Sequence, residues 1–176
     1  WNDYKGDWYR GYDNESATLA WGESYVMMSL VAMYRGTGDP GFLERLTLHA
    51  DDALAQRDDA RKVTDYRGDS GACWRNTSYQ DGEYCYVVHS GMLIQPMVEF
   101  ARLVDRDGLG EEVAPDGETF ADKAAAYVAA AEETVAFHEE QWNDDGYYVF
   151  REDADFLTYA GVDLPLNQSN AMGRAL

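Results

Sequence analysis

Two long stretches of the chain are apolar on almost every side of a helix. Residues 16–35 carry one charge, Glu23, before the closing Arg35, and residues 86–104 stay mostly uncharged until Glu99. A helix with so little polar surface has to be covered by other elements on most of its sides. We therefore predict that these two stretches form inner helices.

Two further stretches are apolar on one face only. Over residues 40–57 and 117–140 the apolar positions recur at steps of three or four, and charged residues fill the remaining positions. This pattern is typical of helices that pack with one face and expose the other. The sequence therefore predicts alternating inner and outer helices, the first pair joined by the short connection GTGDPG.

A third inner helix is predicted to begin near Asn167. The segment NDDGYYVF precedes it, and its Asn-Asp-Asp-Gly turn and aromatic run indicate a short hairpin strand. The inner helices thus start at intervals of roughly 70 to 80 residues, which indicates an internal repeat. Each has a glycine in its opening turns, at Gly22, Gly91 and Gly173, where two backbones can approach closely.

Alternating inner and outer helices at a fixed period build a ring of helical hairpins. The chain resembles the (α/α) toroids of the six-hairpin glycosidase superfamily, through the hairpin LAWGESYVMMSLVAMYRGTGDPGFLERLTLHADDALAQRD and the segment LPLNQSNAMGRAL, which is similar to the opening of a later inner helix. The resemblance implies an all-α fold, with residues 1–176 as a single toroid-type domain. About two and a half hairpins make only a partial ring, so we expect a further chain segment or a subunit to complete it.

The charge and the apolar content of the chain exclude some classes of binding partner. The chain has 33 acidic and 14 basic residues and a formal net charge of -19, which repels phosphate backbones and anionic membrane surfaces. Nucleic acid is therefore not expected as a partner. No apolar stretch reaches the ~18 residues that span a bilayer, so no membrane insertion is expected either. The dispersed acidity favours a secreted or periplasmic protein, or one adapted to high salt.

Two cysteines flank a turn-rich loop. A disulfide between Cys73 and Cys85 would close a short ring and stiffen it, and two reduced, partly buried thiols are the alternative. A metal site is disfavoured because His89 is the only histidine nearby and the chain has 3 His in all. We expect no metal and no cofactor.

Three polar segments lead into the inner helices: residues 8–16 (WYRGYDNES), 73–89 (CWRNTSYQDGEYCYVVH) and 159–170 (YAGVDLPLNQSN). In the superfamily that the chain resembles, such segments crowd one mouth of the ring, where the substrate is bound. Aromatic rings cover the apolar faces of sugars, and amides meet the hydroxyls. We therefore predict a carbohydrate cleft. The predicted binding residues are Trp8, Tyr12, Trp21, Trp74, Arg75, Tyr79, Tyr86, Asn167 and Asn170.

Glu23 and His89 are candidates for catalysis. An ionised carboxylate inside an apolar helix costs several kcal/mol unless it is paired. Glu23 is therefore expected either to meet an arginine (Arg10, Arg75 or Arg174) or to face the cavity. His89 lies where a polar segment becomes an apolar helix, and a histidine there could serve as general acid or base near neutral pH. A structural histidine is the alternative.

Asp13 and Glu83 complete the predicted catalytic set. Glycoside hydrolysis needs two carboxylates, about 6.5 to 9.5 Å apart for inversion and closer for retention. Acidic residues are plentiful on the leading segments and basic ones are few. We therefore expect an enzyme that cleaves glycosidic bonds of a poly- or oligosaccharide, with hydrolysis favoured. A uronate lyase or epimerase using His or Tyr with Asn or Arg is one alternative, and a non-catalytic glycan-binding or assembly subunit is another.

Overall fold

The computed structural model describes residues 7–175. The first six residues and Leu176, the last residue of the predicted third inner helix, lie outside the described part. The described part is mostly helical and contains no strand, which confirms the all-α class. Its helices are α1 (Ser24–Thr37, preceded by a π-helical turn at Leu19–Glu23), α2 (Gly41–Ala55), α3 (Asp58–Arg61), α4 (Val87–Asp107), α5 (Phe120–Phe137) and α6 (Leu166–Gly173), with a 3-10 turn at Glu139–Gln141.

Local chemistry fixes several helix ends. α1 stops at Gly38, whose φ of 70° is left-handed and whose N–H donates to the carbonyl of Tyr34. α5 starts with a capping box, in which the Thr119 side chain accepts from the Asp122 N–H and the Asp122 side chain accepts from the Thr119 N–H. These two signals place the boundaries of α1 and α5 within a few residues of the predicted ones.

α4 is the central element of the fold. It packs against α5, α6, α1 and the π-helical turn, and every residue from 87 to 97 is buried. Leu93, Ile94 and Phe100 are fully covered, and complete burial of a side chain of this size stabilises a fold by about 1.5–3 kcal/mol. The prediction of a buried inner helix is confirmed for α4.

The helices form two hairpins side by side. α1 packs on α2 and α4 packs on α5, while α4 also contacts both α1 and α6. The outer helices are joined as well, since Lys123 on α5 donates to Asp51 on α2 over 2.8 Å and the Tyr127 hydroxyl donates to the other oxygen of Asp51 over 2.8 Å. α4 therefore contacts both of the other helices that were predicted to be inner. α2 and α5 each pack on the helix that precedes them.

α1 is less covered than its sequence predicts. Trp21, Tyr25 and Met33 are all exposed, and their spacing places them along one side of the π-helical turn and α1. The opposite side is buried, with Met27 and Val31 fully covered. In the described part of the chain α1 is therefore covered on one side and open on the other.

The three predicted glycines have different environments. A Cβ on Gly91 would lie 2.5 Å from the Ala171 carbonyl carbon, so α4 and α6 meet backbone to backbone there. A Cβ on Gly22 would instead meet the ring of Tyr9 at 2.7 Å, and one on Gly173 would meet nothing within 4 Å. Close backbone approach is thus confirmed for Gly91 and wrong for the other two.

The predicted hairpin strand is wrong. Asn143 and Gly146 do form a turn, and Trp142 pairs with Tyr148 beyond it, but only as an isolated bridge. The pairing does not extend because Val149 pairs with Asp163 from a different segment. The aromatic residues of this stretch therefore pack onto the helices as a loop.

Cys73 and Cys85 are joined by a disulfide. An isolated antiparallel bridge between Asn76 and Tyr84 lies inside the ring that it closes. Closing a ring of this length contributes about 3 kcal/mol in the chain-entropy account. The disulfide therefore holds the second leading segment in a fixed shape above α4. Within residues 7–175 no helix is both long enough and apolar enough to cross a membrane.

Candidate functional site

The three leading segments meet at one end of the helices. The Asn14 side chain donates to the carbonyl of Trp74 over 2.9 Å, and its amide nitrogen lies 3.1 Å from Nδ1 of His89. The third segment joins through a small pocket that it shares with the second. These three segments, which are distant in sequence, therefore lie close together at this end of the helices.

The shared pocket, which we call the aromatic pocket, has a volume of ≈ 270 Å³. Its aromatic rings come from both sides: Tyr79 and Tyr86 belong to the second segment, and Phe150 and Tyr159 belong to the stretch before α6. The rings of Phe150 and Tyr159 are inclined at 33° with their centroids 6.4 Å apart. The eight lining residues are Tyr79, Gln80, Tyr86, Phe150, Leu157, Thr158, Tyr159 and Gln168.

A tryptophan of the first inner helix adjoins this pocket. The indole N–H of Trp21 donates to the hydroxyl of Tyr79 over 2.5 Å. Trp21 is 43% exposed and Tyr79 is 45% exposed, so the pair presents a partly open aromatic surface beside the pocket. Aromatic faces next to amide groups are suited to the apolar and polar sides of a sugar ring.

His89 lies beneath this surface and is fully buried. Asn14 accepts the N–H of Ala20 with its oxygen and donates with its nitrogen, so Nδ1 of His89 is the acceptor and Nε2 carries the proton. Nε2 has no hydrogen-bond partner within residues 7–175. The His89 ring centroid lies 5.4 Å from that of Trp21, 5.5 Å from that of Tyr79 and 5.1 Å from that of Tyr86.

Burial lowers the pKa of His89 to about 3. The imidazole is therefore neutral at physiological pH, because the charged form would lose its hydration without gaining a partner. A covered, neutral imidazole holds the first and second segments together through Asn14. Two of the rings that contact His89, Tyr79 and Tyr86, also line the aromatic pocket.

Glu23 is paired differently from the prediction. Its Oε1 lies 2.5 Å from Nδ1 of His49 on α2 and both side chains are buried, and within residues 7–175 no ion pair joins Glu23 to an arginine. The sequence pattern placed Glu23 on an apolar helix but gave no register between α1 and α2. The Glu23–His49 contact links the inner and outer helices of the first hairpin.

The predicted catalytic residues have different hydrogen-bond and ion-pair partners. The Asp13 carboxylate accepts the N–H of Glu15 over 3.1 Å and lies 3.7 Å from the Arg61 guanidinium. Glu83 is exposed on the second segment. Among residues 7–175 no hydrogen bond or ion pair joins any two of Asp13, Glu23, Glu83 and His89. Because the two carboxylates of a glycosidase lie several ångströms apart without touching, the catalytic pair stays a prediction.

The predicted binding residues divide into three groups. Tyr79 and Tyr86 line the aromatic pocket and Trp21 adjoins it. Trp74 is wrong as a binding residue, because it is fully buried and its indole N–H donates to the carbonyl of Ala53 over 2.7 Å. Arg75 is engaged by Glu15. The remaining predicted residues, Trp8, Tyr12, Asn167 and Asn170, are exposed and do not line the pocket.

Sequence reasoning missed several lining residues. Gln168 lies between the predicted Asn167 and Asn170, so its amide could have been found from the same polar run at the start of α6. Tyr159 opens the third segment and carried the aromatic signal that was used for the other segments. Phe150, Leu157 and Thr158 were missed because they lie outside the three polar segments on which the prediction was based.

A larger groove of ≈ 600 Å³, which we call the outer groove, lies between α4 and α5. Val98, Val128, Val135 and Trp142 supply most of its apolar lining, and its charged groups are two glutamates, Glu132 and Glu139. A small-molecule site combines an apolar wall with converging polar groups. The outer groove lacks that set, so the smaller aromatic pocket is the better candidate.

A buried carboxyl group lies beside the disulfide. Asp58 is buried, its Oδ2 lies 3.5 Å from the sulfur of Cys73 and 3.6 Å from that of Cys85, and it accepts the N–H of Arg75. Burial raises the pKa of Asp58 to about 7, against the lowering effect of the Arg75 N–H. Because the two sulfurs are bonded to each other, this group offers a metal ion one carboxylate and no thiolate.

Comparisons with family models, with curated proteins and with solved structures give no match to this chain.

Proposed function

We propose that this chain binds an oligosaccharide or polysaccharide in the aromatic pocket. The observation that carries the proposal is the composition of its lining, in which four aromatic rings converge with two amides and a hydroxyl in one concave site. Rings of this kind bury the apolar face of a pyranose, and neutral donors and acceptors satisfy its hydroxyls. The neighbouring Trp21–Tyr79 pair extends the same surface towards the first segment.

The proposal includes a toroid of the six-hairpin type. Support comes from the adjacency of α1, α4 and α6 and from the position of α2 and α5 behind them. The open side of α1 and the outer groove are the two surfaces that further helices of a ring would cover, supplied by another segment or by a subunit. The disulfide supports an extracytoplasmic location, because such bonds persist in oxidising compartments.

Cleavage of the bound glycan is the second candidate function. Asp81 and Glu83 are exposed on the same segment that contributes Tyr79 and Gln80 to the pocket, so carboxylates are available beside the proposed ligand. Hydrolysis has more support than elimination, because His89 is covered by aromatic rings and Arg75 is already paired.

Replacing Tyr159 by alanine is expected to weaken glycan binding about tenfold, since a stacked ring contributes roughly 1.5 kcal/mol. Tyr159 is 60% exposed, so its removal should leave folding unchanged. Isothermal titration with a panel of oligosaccharides measures the affinity. The matched control is Trp142→Ala, which removes a 49% exposed aromatic residue from the outer groove. Equal affinities of the Tyr159→Ala variant and the parent chain would refute the proposed site.

The cleavage candidate has its own test. If Glu83 acts as an acid or base, the chain should release reducing ends from a bound glycan, and Glu83→Gln should lower that rate at least ~100-fold. Glu139→Gln, at the edge of the outer groove, is the control. Binding without any release of reducing ends, or full activity in Glu83→Gln, would remove Glu83 from the mechanism and leave glycan binding intact.

A further inference from the structure

The lining of the aromatic pocket carries no ionisable side chain that is charged at neutral pH. Its eight residues are tyrosines, glutamines, a phenylalanine, a leucine and a threonine. Burial raises the pKa of Tyr86 to about 12, so its hydroxyl stays protonated. A ligand in this pocket therefore meets dipoles and aromatic faces, and no compensating charge.

The arginines around the pocket are engaged by carboxylates. Arg75 lies 3.0 Å from Glu15 and donates to the carbonyl of Thr64 over 2.6 Å. Arg151, which follows the pocket residue Phe150, lies 2.5 Å from Glu140. A guanidinium that already pairs with a carboxylate has little remaining attraction for a second anion. Among the residues that the structure describes, Arg75 and Arg151 therefore each have a carboxylate partner, and one buried nitrogen of Arg151, Nη2, keeps no hydrogen-bond partner.

His89 does not supply a cation either. Its Nδ1 accepts from Asn14, and the rings of Trp21, Tyr79 and Tyr86 lie 5.1 to 5.5 Å from its ring. Protonating Nδ1 would place two donors against each other, so the ring environment disfavours the imidazolium. A buried imidazole with a lowered pKa is a weak general base, so His89 is poorly suited to the proton abstraction of a uronate lyase.

The charge of the whole chain acts in the same direction. The formal net charge is -19, and Asp81 and Glu83 are exposed on the segment that lines one side of the pocket. Asp81 directly follows the lining residue Gln80 in the chain, and electrostatic interactions at physiological ionic strength extend over about 8 Å. An anionic sugar would thus lose hydration on entering the pocket and be repelled at its edge.

We infer that the ligand of the aromatic pocket is an uncharged glycan and that polyuronates are excluded by charge. This inference rests on the proposed function. It goes further in naming the chemical class of the sugar, and it assigns the selectivity to the eight described lining side chains, none of which carries a charge.

The test uses pairs of oligosaccharides with the same linkage that differ only in charge. Each pair contains a polyuronate oligomer and its carboxyl-reduced counterpart, drawn from several backbones, and isothermal titration measures binding to the intact chain. In any pair that binds, the neutral member is expected to bind at least ~10-fold more tightly. Raising the salt concentration from about 50 to about 500 mM should leave its affinity unchanged.

A charge-adding variant tests the cause of the selectivity. Gln168→Lys puts a cation on the pocket wall and is expected to raise polyuronate affinity at least ~5-fold at low salt, an effect that salt should remove. Gln168→Met keeps the length without the charge and should give no such gain. Unchanged polyuronate affinity in Gln168→Lys would overturn the inference.

The remaining outcomes separate the two proposals. If the polyuronate member of a pair binds as tightly as the neutral one, the inference is wrong and glycan binding stands. If no member of any pair binds, the proposed function fails and the inference fails with it. If the chain prefers the neutral member of a pair but Tyr159→Ala binds it with unchanged affinity, the glycan binds to another surface. The inference for this pocket is then wrong.

Discussion

Gly91→Ala is expected to destabilise the fold by about 3 kcal/mol, the upper part of the range for an overpacked core. The added Cβ would lie 2.5 Å from the carbonyl carbon and 2.7 Å from the carbonyl oxygen of Ala171, and it would also meet the backbone nitrogen of Met172. Backbone atoms of a helix cannot rotate away as a side chain can. α4 and α6 would have to separate, and separation exposes the buried side chain of Met172.

Gly173→Ala is the matched control for this prediction. Gly173 ends α6, and a Cβ there meets nothing within 4 Å. Alanine should be neutral or stabilising by up to about 1 kcal/mol, because it has the higher helix propensity. Urea unfolding followed by circular dichroism measures both variants. Equal stabilities of Gly91→Ala and Gly173→Ala would contradict the close contact between α4 and α6.

Acid is expected to destabilise the protein through two buried histidines. Burial lowers the pKa of His89 to about 3 and that of His138 to about 4. The unfolded chain binds a proton at each histidine below about pH 6.5, while the folded chain does not. Their contribution is thus fully present above pH 6.5 and is lost as the pH falls towards these lowered values. At pH 5 the loss is about 2 kcal/mol for each histidine.

Asp58 acts in the opposite direction over the same range. Its folded pKa of about 7 lies above the ordinary value of a carboxyl group. The unfolded chain therefore releases this proton more readily, and stability is lost as the pH rises towards 7. As the pH falls from 7 to 5, protonation of Asp58 therefore raises the free energy of unfolding by about 2 kcal/mol. The parent chain should then lose about 2 kcal/mol over this interval, and Asp58→Asn about 4 kcal/mol.

Chemical unfolding at pH 7 and pH 5 measures these differences. His138→Gln removes one of the two titrating histidines. The double variant Asp58→Asn/His138→Gln should therefore lose half as much stability between pH 7 and pH 5 as Asp58→Asn alone. His138 bridges the Gln141 side chain and the Ser90 hydroxyl, so the variant is less stable at both pH values. The comparison therefore uses the change with pH. A pH-independent stability of Asp58→Asn would contradict the neutral buried histidines.

Helix positions were predictable from the sequence, but the partners of their polar side chains were not. Hydrophobic spacing locates α2 and α5 because each buries one face that periodicity reveals, and α4 is located by its nearly uncharged sequence. It gives no register between helices, so Glu23 was assigned to an arginine or a cavity when it meets His49. Trp74 was misplaced for a related reason, since an indole serves equally in a core and in a sugar site.

The location of the site was more predictable than its membership. The polar segments before α1, α4 and α6 lie at one end of the molecule. Each segment leads directly into its helix, and the three helices begin at that end. Which side chains line a pocket depends on loop conformation, and loops have no periodicity to read. Phe150 and Tyr159 enter the aromatic pocket through such a loop, and no spacing in the sequence relates them to Tyr79 or Tyr86.

Nuclear magnetic resonance of the isotope-labelled chain, titrated with neutral oligosaccharides, tests the central claim most directly. If distant segments build one glycan site, resonances of Tyr79, Tyr86, Tyr159 and Gln168 should move together along a single saturation curve, while those of Val98, Val135 and Trp142 in the outer groove stay fixed. Shifts confined to the outer groove, or none with any glycan, would contradict it.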